Sequence, residues 1–567
     1  MIYDIESMET GKILATEICV IGSGPAGLSV ADTIARRSNK KVAILESGAF
    51  KMEADTEALS SGTKSGLIEE QLEELHARRV GGTANHWILK LADKSNGYRY
   101  AELDEIDFEK REYVPYSGWP VSKEELTPFY YKAREAYCDL GDNHDLWRCH
   151  PVDHAVHTDS FAFGPTSVFT GKLPEKIAAS SQVDLYTHAT VTKLLRRDGK
   201  ITAAQIKTLG GKEFLINAET FVLAGSGFEV PRLLLHSGVG NEYDVVGRYY
   251  MDHSLIISGY FHPRDLNVIK KYKFLDMRLV EGKNKMRFFS FNRDRLMDYR
   301  IPNMATMVFP KPGVVAMNGH RSAQHLAECL LRQHRLPVYP GALTDMINTL
   351  RATPYLARLV YKRYFKGISL MPGLAAGGWS KIAELAREFE RIEVMSLVEQ
   401  YPHPENRVTL TNDLDRLGVP KVHVNLQWHD DQLQDLRRGS RLMLEAIQGV
   451  IPEIGDYQLP DAGEEFYSNT AHHLMGTTRM GNDVRTSVVD RDCKVHSIDN
   501  LFIAGSSVFT TGGFANPTLT IMALGIRLGE HIASANQFLR PVDPDGSHRH
   551  RQDGMESTSG NAIEISA

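Results

Sequence analysis

At 567 residues the chain is too long for one simple hydrophobic core, so two domains or one large composite unit is expected. Hydrophobic residues make up 42% and charged residues 24%, an ordinary soluble balance, and a formal net charge of -6 argues against a nucleic-acid binder. Five scattered cysteines (Cys19, Cys138, Cys149, Cys329, Cys493) read as reduced thiols, not a disulfide framework or a zinc site.

The N-terminus carries no basic stretch followed by an apolar one, and no apolar run approaches the roughly 20 residues that span a bilayer. A soluble, cytoplasmic protein is the expectation. Residues 17–48, "EICVIGSGPAGLSVADTIARRSNKKVAILESG", read as strand, glycine-rich turn, amphipathic helix and second strand. That is one right-handed β-α-β unit of the mononucleotide-binding kind. Residues 50–80 are charged and read as loop plus helix, and "GGTANHW" at 81–87 as a loop against a ligand.

From 183 to 225 apolar and polar residues alternate with turn signals at "DGK" and "LGGK", predicting a β-meander that ends in a buried strand. "PRLLLHSG" predicts a helix stopped at Gly238. Strand-like runs fill 250–315, helices 320–370, and strands return at "RIEVMSLVEQY" and "RVTLT". Beyond Val484 the chain rejoins the first unit through "NLFIAGSSVF" and a helix from Pro517. The end of the chain is rich in Pro, Asp, Ser, Gly and His and is expected to be disordered.

Gly22, Gly24 and Gly27 form G-x-G-x-x-G after a strand and at the start of a helix. The first glycine permits a tight turn and the second lets backbone N–H groups approach a pyrophosphate. The third lets helix and strand pack closely. Glu46 follows 19 residues after Gly27, at the end of the second strand, where an acid can bond ribose hydroxyls. These residues predict dinucleotide binding without distinguishing FAD from NAD.

Together with that unit, "GSGFEVPRLLLHSGVG", "HHLMGTTRMG" and "NLFIAGSSVFTTGGFANPTLTIMALGIRLGEHI" resemble the glucose-methanol-choline (GMC) family of FAD-dependent alcohol oxidoreductases. "SGWPVSKEELTPFYYKA" and "EQYPHPENRVTLTNDLDRLGVPK" are also similar to that family, and the resemblance runs from about Glu17 to His531. It departs at Gly227 and Val230, where the family usually has a small or hydroxyl residue and a Ser or Thr.

The resemblance implies an α/β protein. A Rossmann-type FAD-binding domain would span 14–245 and 482–540, with a lid and loop region at 50–165. An α+β substrate domain on a mainly antiparallel sheet is inserted at 246–481, and 541–567 is a disordered tail. It also implies that His473, in the H-x-x-G-T block, takes the hydroxyl proton of an alcohol while hydride leaves carbon for flavin N5. A neutral imidazole, with an unperturbed pKa near 6.5, suits that task. His472 is expected to be structural, and a metal site is not expected, because adjacent side chains point apart and no carboxylate or cysteine cluster accompanies them.

Asn516 matches the second active-site position, which holds the substrate oxygen. Pro517 disfavours helix at Asn516 and suits the first position of the helix that follows, with Leu519, Met522, Ala523 and Ile526 on one apolar face. FAD contacts are further implied for Gly81, Gly82, Thr83, Asn85 and His86, for Val191 against adenine, and for Gly505, Ser506, Pro517 and Thr518. "RVGGTANHW" is similar to the loop in which pyranose 2-oxidase and its relatives bond a histidine to FAD. A non-covalent loop is the expected arrangement, and a covalent link through His86 the alternative.

The resemblance points to a sugar, glycoside or aminosugar alcohol as substrate, with oxygen, a quinone or a partner protein as electron acceptor. A dehydrogenase of an apolar alcohol coupled to a membrane or subunit, and a non-redox hydroxynitrile lyase-like enzyme, are the rivals. Residues 346–383 contain no acid, while Arg351, Arg358, Lys362, Arg363 and Lys366 alternate with Leu, Tyr and Phe. A solvated face of an active-site lid is the expected reading, and a membrane or partner surface the other.

Overall fold

The computed structural model describes residues 1–534 apart from Ala92, Lys94, 141–149, 152–154, Glu281, Gln333, 367–369, 374–378, 462–464 and Asn469. Cys149, parts of the 346–383 segment and the expected tail lie outside the described residues.

Strand Ile13–Ile21 lies parallel between Val42–Leu45 and Glu213–Leu223, and helix Pro25–Arg37 makes the crossover to Val42–Leu45. The sheet continues through Val183–Thr187 and Ile2–Asp4 on one side and Lys200–Lys207 and Thr190–Arg197 on the other. Late in the chain, Leu501–Ile503 adds in parallel beside the last residues of Glu213–Leu223. The expected meander therefore begins one strand later than the alternation suggested. Val183–Thr187 has parallel neighbours on both sides, whereas the meander proper is the antiparallel set from Thr190 to Leu223.

Helix Pro517–Ser534 covers the crossover helix. Its Gly525 and Gly529 lie against Ser29 and Thr33 so closely that a Cβ would come within 2.9 and 2.8 Å of those side chains. Leu519, Met522, Leu524, Ile526 and Leu528 are buried along it, each contributing about 1.5–3 kcal/mol relative to exposure.

The second sheet is antiparallel. Its order is Asp456–Gln458, Ser254–His262, Arg391–Val398, Met304–Lys311, Lys283–Phe291, Val156–Pro165, Asn96–Tyr100, Leu89–Lys90. Three of these strands fall within residues 50–165, a region expected to belong to the FAD domain; they instead extend the second sheet across from Lys283–Phe291.

A second correction concerns Gly62–Gly66, expected as loop or helix. It pairs in parallel with Pro420–Leu426 in a three-stranded sheet. Glycine-rich composition hides the strand, but a Cβ on Gly62 would lie 2.3 Å from the Val422 carbonyl oxygen, so the close approach needs glycine. Met304–Lys311 and Arg391–Val398 are adjacent and antiparallel, yet the chain between them runs through helices Val314–Ala327, Ala342–Arg351 and Thr353–Tyr361.

Candidate active site

The glycine turn opens onto a cavity lined by Gly22, Ser23 and Gly24. Gly22 adopts φ +109°, where a side chain is strained, and its Cβ would lie 2.6 Å from the Ala224 carbonyl oxygen. A Cβ on Gly27 would lie 2.0 Å from the Gly22 oxygen, so both are fixed by protein packing. Gly24 differs. Its Cβ would meet nothing nearer than Gly82 Cα at 3.8 Å. Protein packing alone leaves room for a side chain there, and the residue faces the cavity.

Glu46, buried, accepts from Ser23 N at 3.0 Å, Ser23 Oγ at 2.6 Å and Gly48 N at 3.2 Å. A carboxylate has about four acceptor sites, so one stays available on the cavity wall. Gly82, Thr83 and Trp87 also line the cavity, and Gly81 N–H ties their loop to the glycine turn by donating to the Ser23 carbonyl at 3.0 Å. The Trp87 indole N–H is buried without a partner among the described residues. Val191, Gly505 and Ser506 complete the lining, with Arg232 and Asp415 among its further residues. An open glycine position, spare carboxylate capacity and an orphan donor fit a dinucleotide.

Beside this cavity lies a buried hydrogen-bond chain. Asp252 Oδ1 accepts from the backbone N–H groups of His253 at 2.7 Å and of Ala471 and His473 at 3.0 Å each. It thereby ties the 471–473 segment to the start of strand Ser254–His262. Burial pushes the Asp252 carboxyl up to about 7, and those three donors oppose the rise. His472 adopts a left-handed φ of +59°. Its ring lines the cavity next to His86, while His473 turns the other way, toward His253 and Asn516.

The protons in the chain can be assigned from its ends. Arginine nitrogens only donate, and Arg99 Nε lies 2.5 Å from Asn516 Oδ1. The Asn516 Nδ2 group therefore faces His473 and donates to Nε2 at 3.1 Å. Nε2 is then the unprotonated nitrogen of the neutral ring. Nδ1–H of His473 donates to His253 Nδ1 at 2.8 Å, and His253 Nε2–H points to the Gly512 carbonyl at 3.3 Å.

Burial, reinforced by His253 and Arg99, holds His473 well below the usual histidine value, and burial lowers His253 to about 4. Gly512 admits this packing: a Cβ there would sit 2.7 Å from Met475 Cε and 3.2 Å from His253 Nε2.

The structure brings His473 and Asn516 together, and gathers Gly22, Gly24, Glu46, Gly82, Thr83, Val191, Gly505 and Ser506 around the cavity. Gly27 is a packing glycine behind the turn. Gly81 and Asn85 shape the loop, Asn85 Nδ2 donating to the carbonyls of Val80 and Gly82. Pro517 and Thr518 open the helix behind Asn516. His86 is not among the lining residues; burial, then Arg79, lowers its imidazole to about 4.

Sequence reasoning missed Asp252, His253 and Arg99. The available signals were the Asp-His pair in "MDHS" at a strand start, and an arginine between Tyr98 and Tyr100 in a strand otherwise fit for a core. Arg99 is buried over the Phe161 ring at 4.6 Å, and its Nη1 has no partner among the described residues. Burial lowers its guanidinium to about 9.

A family profile described as GMC oxidoreductase matches residues 402–525, and one described as FAD dependent oxidoreductase matches residues 17–247. The chain is 25% identical to 2-methyl-1,2-propanediol dehydrogenase of Mycolicibacterium austroafricanum over 91% of this chain and 95% of that one. It is 23% identical to a C-glycoside 3-oxidase of Arthrobacter globiformis over 80% of this chain and 73% of the other. A solved FAD-dependent oxidoreductase from Chaetomium thermophilum shares the fold at a TM-score of 0.51 and 12% identity, covering 92% of this chain and all of that one.

Proposed function

We propose that the chain is an FAD-dependent oxidoreductase of the GMC kind, a reading supported by the two family profiles and by the likeness to 2-methyl-1,2-propanediol dehydrogenase, and that it oxidises a CH–OH group on a sugar, glycoside or aminosugar with His473 as the base. The carrying observation is the hydrogen-bond chain, which leaves the lone pair of His473 on Nε2, facing Asn516.

A substrate hydroxyl that displaces the Asn516 Nδ2 contact can donate its proton to Nε2 and accept from Nδ2–H. General-base help of this kind is worth about 10²–10⁴ in rate. The depressed basicity of His473 keeps the ring neutral and ready at neutral pH. The proton it accepts is then placed in a buried site where, among the described residues, the ring partners are His253 and Asn516 and no carboxylate, so it is readily released. Bound FAD supplies the hydride acceptor. The Gly22–Gly27 turn and Glu46 would hold its pyrophosphate and ribose, Val191 its adenine, and Thr83, Gly505 and Ser506 the remainder of the cavity wall.

The sugar-type substrate is supported by the sequence blocks resembling sugar- and aminosugar-oxidising members and by the likeness to a C-glycoside 3-oxidase. A location in the reducing cytoplasm suits Cys19, Cys138 and Cys493, which are buried and unpaired. The test is anaerobic bleaching of the yellow protein by sugars, glycosides, aminosugars, small aliphatic diols and apolar alcohols. Bleaching by a carbohydrate class, lost in His473→Ala, is expected. Bleaching by apolar alcohols alone, or undiminished bleaching of the variant, would overturn the reading.

A further inference from the structure

The connection between Met304–Lys311 and Arg391–Val398 is unusual for its place. These strands are antiparallel neighbours, a pairing that a two-residue turn can join. The helices inserted there are therefore not needed to form the sheet, and their surface shows what else they offer. Helix Ala342–Arg351 carries Leu343, Met346, Ile347 and Leu350 at spacings of three and four, the pattern of a helix that buries one face. It buries no residue at all: Leu343 is 71% and Leu350 75% exposed.

The flanking segments continue the surface. Leu336 and Val338 are 77% and 87% exposed, and Tyr364 and Phe365 lie similarly open. The scaffold beneath is well packed. A Cβ on Gly319 of helix Val314–Ala327 would lie 2.0 Å from Ala352 Cβ, and Tyr355 and Leu359 are buried. Tyr355 donates to the Leu370 carbonyl at 2.9 Å, and Lys362 pairs with Glu388 at 2.6 Å. The apolar face is thus held outward on a fixed platform.

Charge identifies what covers it. Residues 314–366 contain eight Lys and Arg against two acids, Glu328 and Asp345, in a chain whose net charge is -6. Arg335, Arg351, Arg363 and Lys366 are exposed on the same helices and loop as the apolar side chains. An isologous contact between two copies through this face would set one basic insert against another. A surface of anionic lipid headgroups instead meets both properties: cations pair with phosphates while Leu, Tyr and Phe enter the headgroup–acyl boundary. No described helix is long and apolar enough to cross a bilayer, so the contact is with one leaflet.

We propose that the 314–366 insert is a docking surface for an anionic phospholipid bilayer. The experiment is flotation of the full-length, FAD-loaded protein with phosphatidylglycerol-containing and with pure phosphatidylcholine vesicles, at low and high salt. Binding to the anionic vesicles that weakens with salt is expected. Leu343→Glu with Leu350→Glu, and separately Arg351→Glu with Arg363→Glu, should each lower it by roughly tenfold or more, with flavin content as the check of folding. No flotation, equal flotation with neutral vesicles, or a dimer in sedimentation velocity that Leu343→Glu with Leu350→Glu dissociates, would each overturn the proposal.

Discussion

His253 Nδ1 stands 2.8 Å from His473 Nδ1, so one of these two nitrogens must carry the hydrogen and the other the lone pair. The Gly512 carbonyl at one end and the Arg99 guanidinium at the other settle which. The proton sits on His473 Nδ1, and a buried donor left without its acceptor costs about 1–3 kcal/mol.

His253→Ala removes that acceptor. kcat should fall roughly 10- to 100-fold, the range of a lost buried hydrogen bond, with KM changed little. His253→Asn, whose Oδ1 can accept from Nδ1–H, should restore part of the rate. Steady-state kinetics of the two variants, beside their flavin content, checks this. Equal rates in both would show that His253 only fills space.

The pH profile follows from the sign of the His473 shift. Burial first, then His253 and Arg99, disfavour the imidazolium, so the folded value lies below 6.5. The base is therefore fully available above 6.5, and kcat/KM falls only as pH drops through the depressed value. Arg99→Met removes a positive charge, makes the imidazolium less costly, and should move the acidic limb to higher pH. An unmoved limb would remove Arg99 from the electrostatics of the base.

The glycine turn separates folding from cofactor binding. Gly27→Ala sets a Cβ 2.0 Å from a backbone oxygen and should impair folding, lowering soluble yield and Tm. Gly24→Ala fits the protein, with 3.8 Å to its nearest neighbour, and should fold yet retain little flavin. Circular dichroism melts and the flavin-to-protein absorbance ratio distinguish the two effects. Full flavin in Gly24→Ala would place the pyrophosphate elsewhere.

Acid precipitation tests the loop at 81–87. Thr83 and Trp87 line the cavity and His86 does not, so the yellow colour should stay in the supernatant. Colour retained in the pellet and released by His86→Ala would establish a covalent link.

The β-α-β unit, the antiparallel part of the meander and the helix stop at Gly238 were legible because each rests on local signals, glycine spacing and alternation, whereas His473 and Asn516 were singled out through the resemblance of their blocks to a family. What stayed hidden depends on contacts between distant segments. Arg99 meets Asn516 across more than four hundred residues, and Asp252 organises 471–473 across more than two hundred. Neither spacing nor periodicity encodes such a meeting. Gly62–Gly66 failed for a related reason: its strand character comes from Val422 pressing against Gly62, not from its own residues.

Helix Pro517–Ser534 also governs how the protein is made. The crossover helix Pro25–Arg37 leaves the ribosome early, but its covering helix, with Gly525 and Gly529 against Ser29 and Thr33, is translated about 500 residues later. At 5–20 residues per second the nascent chain waits on the order of a minute with that face uncovered. Production of this protein should therefore depend on chaperone supply during synthesis.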